Sequence, residues 1–268
     1  MNRLNGQVVA ITGGLGDIGR ATAARLLAEG ARVALIDVAA ARKHPWLAAH
    51  RQSEVFFCEA DVSVRTQVDH AFATVVARFG QIDVLIANAG MVANQPFLEI
   101  DAQSWDDTLR VNLTGAFHCA QAAARLMVLQ APRRNRLRGK ILFTSSWVQQ
   151  MPWPEGAAYA TSKAGLQMLA KVMAQELASQ GITVNVLAPG IVMAGLSARI
   201  HAVDASFRAL VAQAIPLGEM QTAESVAGSF YFLCSEDSDY MTGATLLVDG
   251  GASLVRRDPP DSTRPPVQ

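Results

Sequence analysis

A tyrosine and a lysine, Tyr159 and Lys163, stand four residues apart near the start of a segment with helical periodicity. Side chains at this spacing share one face of a helix. An ammonium group near a phenol favours the phenolate, so Lys163 would lower the pKa of Tyr159 toward neutrality, which requires about 4 kcal/mol of differential stabilisation. Such a pair also occurs by chance on ordinary helix surfaces. It therefore needs support from elsewhere in the chain.

Ser146 gives the first support, because it lies thirteen residues before Tyr159 and directly follows a predicted strand, Lys140–Ser145. In doubly wound folds, ligands bind at the carboxyl ends of the strands. The hydroxyl of Ser146 is therefore expected at the binding edge of the sheet, where it can join Tyr159 and Lys163 in one constellation.

A glycine-rich turn gives the second support. Gly14, Gly16 and Gly19 satisfy the pattern G-x-G-x-x-G between a predicted strand and a predicted helix. This arrangement lets the backbone approach a pyrophosphate while the first amides of the helix face the anion. An ordinary strand-to-helix turn is the alternative. The residues expected to contact a dinucleotide here are Gly13, Leu15, Gly16, Asp17, Ile18 and Gly19.

Asp37 ends the second predicted strand, eighteen residues after Gly19. A carboxylate at this place accepts hydrogen bonds from the hydroxyls of an adenine ribose and repels a 2′-phosphate. The sequence therefore predicts NAD as the cofactor rather than NADP, unless Arg42 or Lys43 reaches back to the ribose. Asp37 could instead serve as a helix cap.

Strand-like and helix-like segments alternate along the chain and must position these residues. The predicted strands are Val8–Thr12, Arg32–Asp37, Glu54–Cys58, Val84–Ala87, Lys140–Ser145, Thr183–Ala188 and Thr245–Asp249. The predicted helices are Ile18–Glu29, Val64–Phe79, Trp105–Gln130, Ala158–Gln180 and Ala223–Leu233. This alternation predicts an α/β fold, a single-domain doubly wound parallel sheet of Rossmann type with helices on both faces. We expect the domain to span residues 1–255 and residues 256–268 to form a flexible tail.

Composition excludes several other classes of protein. The 268 residues are 50% hydrophobic and 17% charged, which is outside the range of disordered chains. Lys plus Arg and Asp plus Glu each total 23, so no net charge attracts nucleic acid or anionic membranes. The three cysteines, Cys58, Cys119 and Cys234, are widely spaced and predict neither a disulfide framework nor a metal site. No signal peptide or membrane span is evident, so we expect a cytoplasmic protein with a small-molecule substrate.

Together these features resemble the short-chain dehydrogenase/reductase family, and the resemblance extends from Val8 to Gly251. Further matching elements are Asp61-Val62, Asn88-Ala89-Gly90, Asn112, Pro189-Gly190 and Val248-Asp249-Gly250-Gly251. The resemblance implies that Tyr159 exchanges a proton with a substrate hydroxyl or carbonyl, whose oxygen Ser146 orients. It implies that Lys163 also binds the nicotinamide ribose and that Asn112 holds a water on the path of the proton to solvent.

The resemblance also implies cofactor contacts and an assembly. The implied contacts outside the glycine turn are Asp61 and Val62 at the adenine, Asn88, Ala89 and Gly90 after the fourth strand, Tyr159 and Lys163, and Pro189, Gly190, Ile191 and Val192 at the nicotinamide. Related proteins form homotetramers through the helices near 105–130 and 158–180. Three positions depart from the family pattern: Asp17 stands in place of a glycine of the turn, Ala87 in place of the first of two asparagines, and Ala194 in place of a threonine that meets the nicotinamide carboxamide.

The loop between Ser146 and Tyr159 is expected to form a wall of the substrate site through Trp147, Gln149 and Trp153. Its Pro-Trp-Pro stretch is similar to that of bacterial glucose 1-dehydrogenases, although these tryptophans could simply pack in the core. A lid is expected over 191–218. Its cations Arg199 and His201 suggest a substrate with a carboxylate or sulfonate, unless they are merely solvated.

The sequence therefore predicts an NAD-dependent dehydrogenase that oxidises a sugar hydroxyl, at the anomeric carbon, to a lactone. One alternative is an NADPH-dependent carbonyl reductase of the 3-oxoacyl-thioester type. Another is a nucleotide-sensing or scaffold protein without catalytic activity.

Overall fold

The computed structural model describes residues 3–38, 44–51, 53–133 and 136–255. Seven parallel strands form one sheet in the order β3-β2-β1-β4-β5-β6-β7. The strands are β1 (Val8–Thr12), β2 (Arg32–Asp37), β3 (Val55–Glu59), β4 (Val84–Ala87), β5 (Gly139–Thr144), β6 (Ile182–Pro189) and β7 (Thr245–Val248). Each predicted strand is confirmed, and no strand end is more than one residue from its predicted position.

Helices cover both faces of the sheet. They are α1 (Asp17–Ala28), α2 (Pro45–Ala48), α3 (Arg65–Phe79), α4 (Ala102–Leu109), α5 (Ala116–Met127), α6 (Ala157–Leu177), α7 (Gly195–Val203), α8 (Ala205–Ala214) and α9 (Ala223–Cys234). Apolar residues of α3, α5 and α6 form one core cluster with the sheet, and those of α1 and α9 form the other. Because both faces are buried, the strands are continuous apolar runs rather than alternating ones.

The order of the strands reverses between β1 and β4, which makes this the place where a ligand is expected. Asn88, just after β4, ties the two strands together at this point. Its backbone amide donates to the hydroxyl of Thr12 at 3.0 Å, and its side-chain amide donates to the carbonyl oxygens of Thr12 and Gly13, each at 3.2 Å. These bonds hold the carboxyl ends of β1 and β4 in a fixed relation.

One predicted helix is divided into two in the structure. Residues 105–130 were expected to form a single helix, but α4 and α5 are separated by a π-helical turn, Arg110–Gly115. The apolar residues keep helical spacing through the turn, so the pattern does not reveal its wider hydrogen bonding. The expected lid, 191–218, contains the two helices α7 and α8.

Cys58, Cys119 and Cys234 are all buried and free. None of the helices in the described ranges is long and apolar enough to cross a membrane. The predicted tail, 256–268, lies outside the described residues.

Candidate active site and cofactor cleft

A cleft of about 790 Å³ opens over the carboxyl ends of the strands. Its walls include the glycine turn, the ends of β2 and β4, the loop after β5 and the helix α7. Ser146 and Tyr159 line the same cleft as Gly13, Gly16 and Asp37. The expected catalytic groups and the expected dinucleotide site are therefore continuous, as the sequence predicted.

Tyr159 and Ser146 line the cleft, and Lys163 is buried beside Tyr159. The Ser146 hydroxyl hydrogen-bonds the Tyr159 side chain. The Lys163 Nζ lies 5.5 Å from the centroid of the Tyr159 ring and donates to the carbonyl oxygen of Thr144 at 2.8 Å. Lys163 is buried, and the Thr144 carbonyl at the end of β5 fixes its ammonium beside the tyrosine. The spacing of four residues on α6 thus produces the predicted pair.

Burial sets the direction of the pKa shift of Tyr159 in the polypeptide alone. Burial raises the pKa of the phenol above its ordinary value, because it disfavours the charged form, and the hydrogen bond from Ser146 only partly offsets this. The lowering toward neutrality is predicted for Lys163 beside a cationic nicotinamide, and for that complex it stays a prediction. Burial also lowers the pKa of Lys163 to about 8. Lys163 is thus mainly charged at neutral pH and loses its charge as pH rises through about 8.

Asn112 lies in the π-helical turn and is fully buried. Its Oδ1 accepts from the Met91 amide at 2.8 Å, and its Nδ2 donates to the Met91 carbonyl at 2.9 Å and to the Ser162 hydroxyl at 3.2 Å. Ser162 in turn donates to the Tyr159 carbonyl oxygen at 2.6 Å. The side chain of Asn112 is thus a tether between the strand-end loop and α6.

Gly90 keeps a space open between Asn112 and Lys163. A β-carbon at residue 90 would stand 3.3 Å from Asn112 Oδ1 and 3.6 Å from Lys163 Nζ. Both polar groups therefore lie close to the backbone of Gly90. The water expected at Asn112 stays a prediction.

The glycine turn has the close contacts of a phosphate cradle, although the glycines that make them differ from those expected. Gly13 has a φ of +58°, and a β-carbon there would stand 2.8 Å from Ala89 Cα. A β-carbon on Gly14 would meet the Leu35 side chain at 2.8 Å, and one on Gly19 would meet the carbonyl oxygen of Gly14 at 2.7 Å. Gly16 is only the N-cap of α1. The turn thus places bare backbone and the first amides of α1 at the cleft, which fits a dinucleotide diphosphate.

Comparisons with known proteins agree with this geometry. The protein-family model described as enoyl-(acyl carrier protein) reductase matches residues 14–253. The chain belongs to the short-chain dehydrogenase/reductase family.

Two relatives show the range of this family. The chain is 35% identical over 255 residues to a 3β-hydroxysteroid dehydrogenase of Eggerthella lenta, covering 94% of this chain and 95% of that one. It is 33% identical over 255 residues to a 3-oxoacyl-[acyl-carrier-protein] reductase of Synechocystis, covering 94% and 98%. Neither name is that of a sugar dehydrogenase.

A solved structure is similar over the whole fold. It is a gluconate 5-dehydrogenase from Burkholderia cenocepacia in complex with NADP and tartrate, with a TM-score of 0.87, 32% identity and coverage of 95% of this chain and 98% of that chain. The match supports a nicotinamide cofactor in this short-chain dehydrogenase/reductase and leaves the choice between NAD and NADP open.

Asp37 lines the cofactor end of the cleft. Its Oδ2 accepts the Leu15 amide and its Oδ1 accepts the Val38 amide, each at 2.9 Å. The carboxylate is therefore fixed between the end of β2 and the glycine turn, rather than capping a helix. Arg42 and Lys43, either of which could favour NADP by reaching back to the ribose, lie outside the described residues.

Asp17, the departure from the family pattern, binds the lid. Its Oδ2 accepts the amide of Gly195, the first residue of α7, at 2.7 Å, and its Oδ1 accepts from the Arg20 guanidinium at 2.6 Å. The second departure, Ala194, is the N-cap of α7 and offers no side-chain hydrogen bond. Just before it, the Ile191 carbonyl and the Met193 amide pair with the backbone of Gln221.

Most other expected cofactor residues surround the cleft without all reaching its surface. Ile18, Asn88, Ala89, Gly90, Gly190, Ile191 and Val192 line it. Leu15, Gly19, Asp61, Val62, Lys163 and Pro189 are not among its lining residues. The Asp61 carboxylate accepts the amide of Ser63 at 2.8 Å, and Val62 is buried.

Three of the five expected substrate residues line the cleft. Trp147, Trp153 and Arg199 line the cleft, and the two indoles meet edge to face with centroids 5.5 Å apart. Gln149 and His201 do not line it, and their predicted contacts with the substrate stay predictions. Gln149 is only 7% exposed, because the short 3-10 turn after Ser146 packs its side chain inward. His201 is on α7, next to the lining residues Arg199 and Ile200.

The sequence interpretation missed the apolar wall. Met91, Val92, Leu196, Ile200 and Phe207 all line the cleft. Met91 and Val92 directly follow Gly90, so the strand-end motif was a usable signal for them.

Among the described residues, no group of three or more His, Cys, Asp or Glu side chains could hold a metal ion.

Proposed function

We propose that this short-chain dehydrogenase/reductase oxidises the anomeric hydroxyl of a cyclic sugar to a lactone with NAD. The observation that carries the proposal is the placement of Tyr159, hydrogen-bonded to Ser146, in one cleft with a glycine turn and Asp37. The bound nicotinamide supplies the hydride-accepting chemistry.

The protein's own residues handle the substrate proton. Ser146 orients the substrate oxygen by a hydrogen bond, and Tyr159 takes the hydroxyl proton as its carbon loses hydride. Lys163, held by the Thr144 carbonyl, places a positive charge beside Tyr159 and so favours the phenolate form that accepts this proton. The space beside Gly90 allows a water between Lys163 and Asn112, through which the proton reaches solvent.

The choice of NAD follows from the fixed carboxylate of Asp37. Since Asp37 accepts two backbone amides, it is oriented before the cofactor binds and can accept ribose hydroxyls without reorganising. A 2′-phosphate at the same place would face this negative charge. We therefore expect a lower Kd for NAD than for NADP.

The choice of a sugar follows from the wall of the cleft. Trp147 and Trp153 both line the cleft, Trp147 being buried and Trp153 partly buried against it, and Asn94 offers an amide in the same cleft. Planar apolar faces beside fixed polar groups suit a pyranose ring. The similar structure, named as a gluconate 5-dehydrogenase, was solved with NADP and tartrate, and its name supports a polyhydroxylated substrate for this chain.

A second candidate is reduction of a 3-oxoacyl thioester. Its support is the 3-oxoacyl-[acyl-carrier-protein] reductase of Synechocystis and the apolar residues Met91, Val92 and Phe207 in the cleft, which suit an acyl chain. Asp37 opposes the NADPH that this reaction was expected to use.

Spectrophotometry at the reduced-nicotinamide band tests both candidates. Aldoses and acidic aldoses are supplied with NAD or NADP, and acetoacetyl-coenzyme A is supplied with NADH or NADPH. Turnover of an aldose with NAD, abolished in Tyr159→Phe, supports the proposal. Turnover of the thioester alone would replace it with the second candidate, and no turnover of any compound would favour a scaffold without activity.

We also propose a homotetramer built through α5 and α6. Phe117 on α5 and Met168 and Val172 on α6 are exposed apolar side chains, and the last two share a helix face. Light scattering after size exclusion should give four times the 28.6 kDa chain mass. Val172→Asp should lower that mass, and a wild-type monomer would refute the proposal.

A further inference from the structure

Three of the cleft-lining residues in the described ranges carry a charge: Asp17, Asp37 and Arg199. The two acids stand at the glycine turn and at the end of β2, where the cofactor is expected. Arg199 is therefore the cation among the lining residues, and it belongs to the lid helix α7. Any negatively charged ligand group in the lid half of the cleft would meet Arg199.

The helix α7 turns Arg199 toward the cleft. Leu196, Arg199 and Ile200 follow the spacing of three and four residues that makes one helix face, and all three line the cleft. The other lid cations are arranged differently. Arg208 donates to the carbonyl oxygen of His201 at 2.8 Å, and neither residue lines the cleft.

Arg199 makes no hydrogen bond or ion pair with any residue in the described part of the chain, whereas Arg20 is paired with Asp17. A guanidinium group keeps its charge at all relevant pH values and matches the two oxygens of a carboxylate or the oxygens of a sulfonate. Arg199 is exposed, and Leu196, Ile200 and Phe207 line the same cleft.

We propose that the substrate carries an oxyanion, a carboxylate or a sulfonate, and that Arg199 binds it. The proposal rests on the proposed sugar dehydrogenase function and adds the class of sugar. The diphosphate of the cofactor is another source of oxyanion in the same cleft. The experiment must therefore separate an effect on substrate from an effect on cofactor.

The test compares three substrates that share one ring and one anomeric hydroxyl: glucose, glucuronate and the methyl ester of glucuronate. A fourth, 6-deoxy-6-sulfoglucose, replaces the carboxylate with a sulfonate. The kcat/KM of each is measured with NAD for the wild type, Arg199→Ala and Arg199→Lys, with Arg208→Ala as the matched lid variant. We expect the wild type to favour an acid over glucose and the ester by at least about tenfold.

The expected result is loss of that preference in Arg199→Ala, partial retention in Arg199→Lys, and no change of the preference in Arg208→Ala. An equal loss on all four substrates would overturn the proposal. If that loss came with a raised Kd for NADH, Arg199 would be assigned to the cofactor diphosphate instead. A wild type that does not distinguish acid from ester would also overturn it.

A binding measurement separates this proposal from the proposed function. Trp147 and Trp153 line the cleft, so the tryptophan fluorescence of the NADH-loaded enzyme reports its occupancy. Binding of glucuronate that is lost in Arg199→Ala, without oxidation of any sugar, would refute the sugar dehydrogenase function and leave the oxyanion site standing. Sugar oxidation without preferential binding of an acid would refute only the oxyanion site.

Discussion

Replacing Asp17 with glycine should speed release of NADH from this enzyme. Asp17 connects the first turn of α1 to the first residue of α7 through its bond of 2.7 Å from the Gly195 amide. Both helix ends line the cleft. Without the carboxylate, the lid helix loses its side-chain anchor at the phosphate turn.

The size of the effect follows from the exposure of the bond. A hydrogen bond to a charged group contributes about 1.5–3 kcal/mol when buried. The Asp17 side chain is 42% exposed, so we assign the bond about 1 kcal/mol, which corresponds to about a fivefold increase in the dissociation rate constant of NADH. The opposing effect is repulsion between the carboxylate and the diphosphate, which Arg20 reduces by pairing with Asp17 at 2.6 Å.

Stopped-flow displacement of NADH, followed by its fluorescence, measures the rate. Asp17→Asn keeps an acceptor for the Gly195 amide but removes the charge, so it should lie between the wild type and Asp17→Gly. Asp107→Asn is the matched control, because Asp107 also pairs with an arginine three residues later at 2.6 Å but does not line the cleft. Slower release from Asp17→Gly would show that repulsion dominates and would refute the anchor.

Three other substitutions and one pH profile have expected outcomes. Tyr159→Phe should lower kcat by about 10²- to 10⁴-fold while NADH binding, measured by fluorescence, persists. Burial lowers the pKa of Lys163 to about 8. Because the charged Lys163 is expected to bind the nicotinamide ribose, the Kd for NAD should rise as pH increases through about 8, and a flat profile would contradict this. Gly90→Ala should lower kcat about tenfold with little change in Tm, because its β-carbon would occupy the space 3.3 Å from Asn112 Oδ1. Asp37→Ser should reduce the ratio of kcat/KM for NAD to that for NADP by about tenfold, and an unchanged ratio would remove Asp37 from cofactor selection.

The catalytic cluster could be predicted from the sequence because its geometry is local or set by the sheet. Tyr159 and Lys163 share a helix face, and Ser146 follows a strand whose carboxyl end must meet those of its neighbours. The same reasoning did not predict that Gln149 and His201 are absent from the lining of the cleft. Which side of a short turn or lid helix faces a cleft depends on what packs against it, and the sequence does not contain that information in any regular spacing.

The sequence also does not predict contacts between distant parts of the chain. In the sequence Asp17 is only a departure from a glycine pattern, because its partner Gly195 is 178 residues away. The π-helical turn around Asn112 has the same apolar spacing as an α-helix, so the sequence could not separate α4 from α5. The burial that raises the pKa of Tyr159 is likewise a property of the folded site, which the spacing of Tyr159 and Lys163 does not reveal.

The lid helix connects the two halves of the site. Gly195, which Asp17 holds, and Arg199, which the substrate oxyanion would bind, are one turn apart on α7, about 6 Å along its axis. A ligand on Arg199 would favour the same position of the helix that the bond to Asp17 favours. Binding of an acidic sugar should therefore slow release of NADH from the wild type. The effect should be smaller in Asp17→Gly, because the helix would then lack the contact that relates its position to the cofactor.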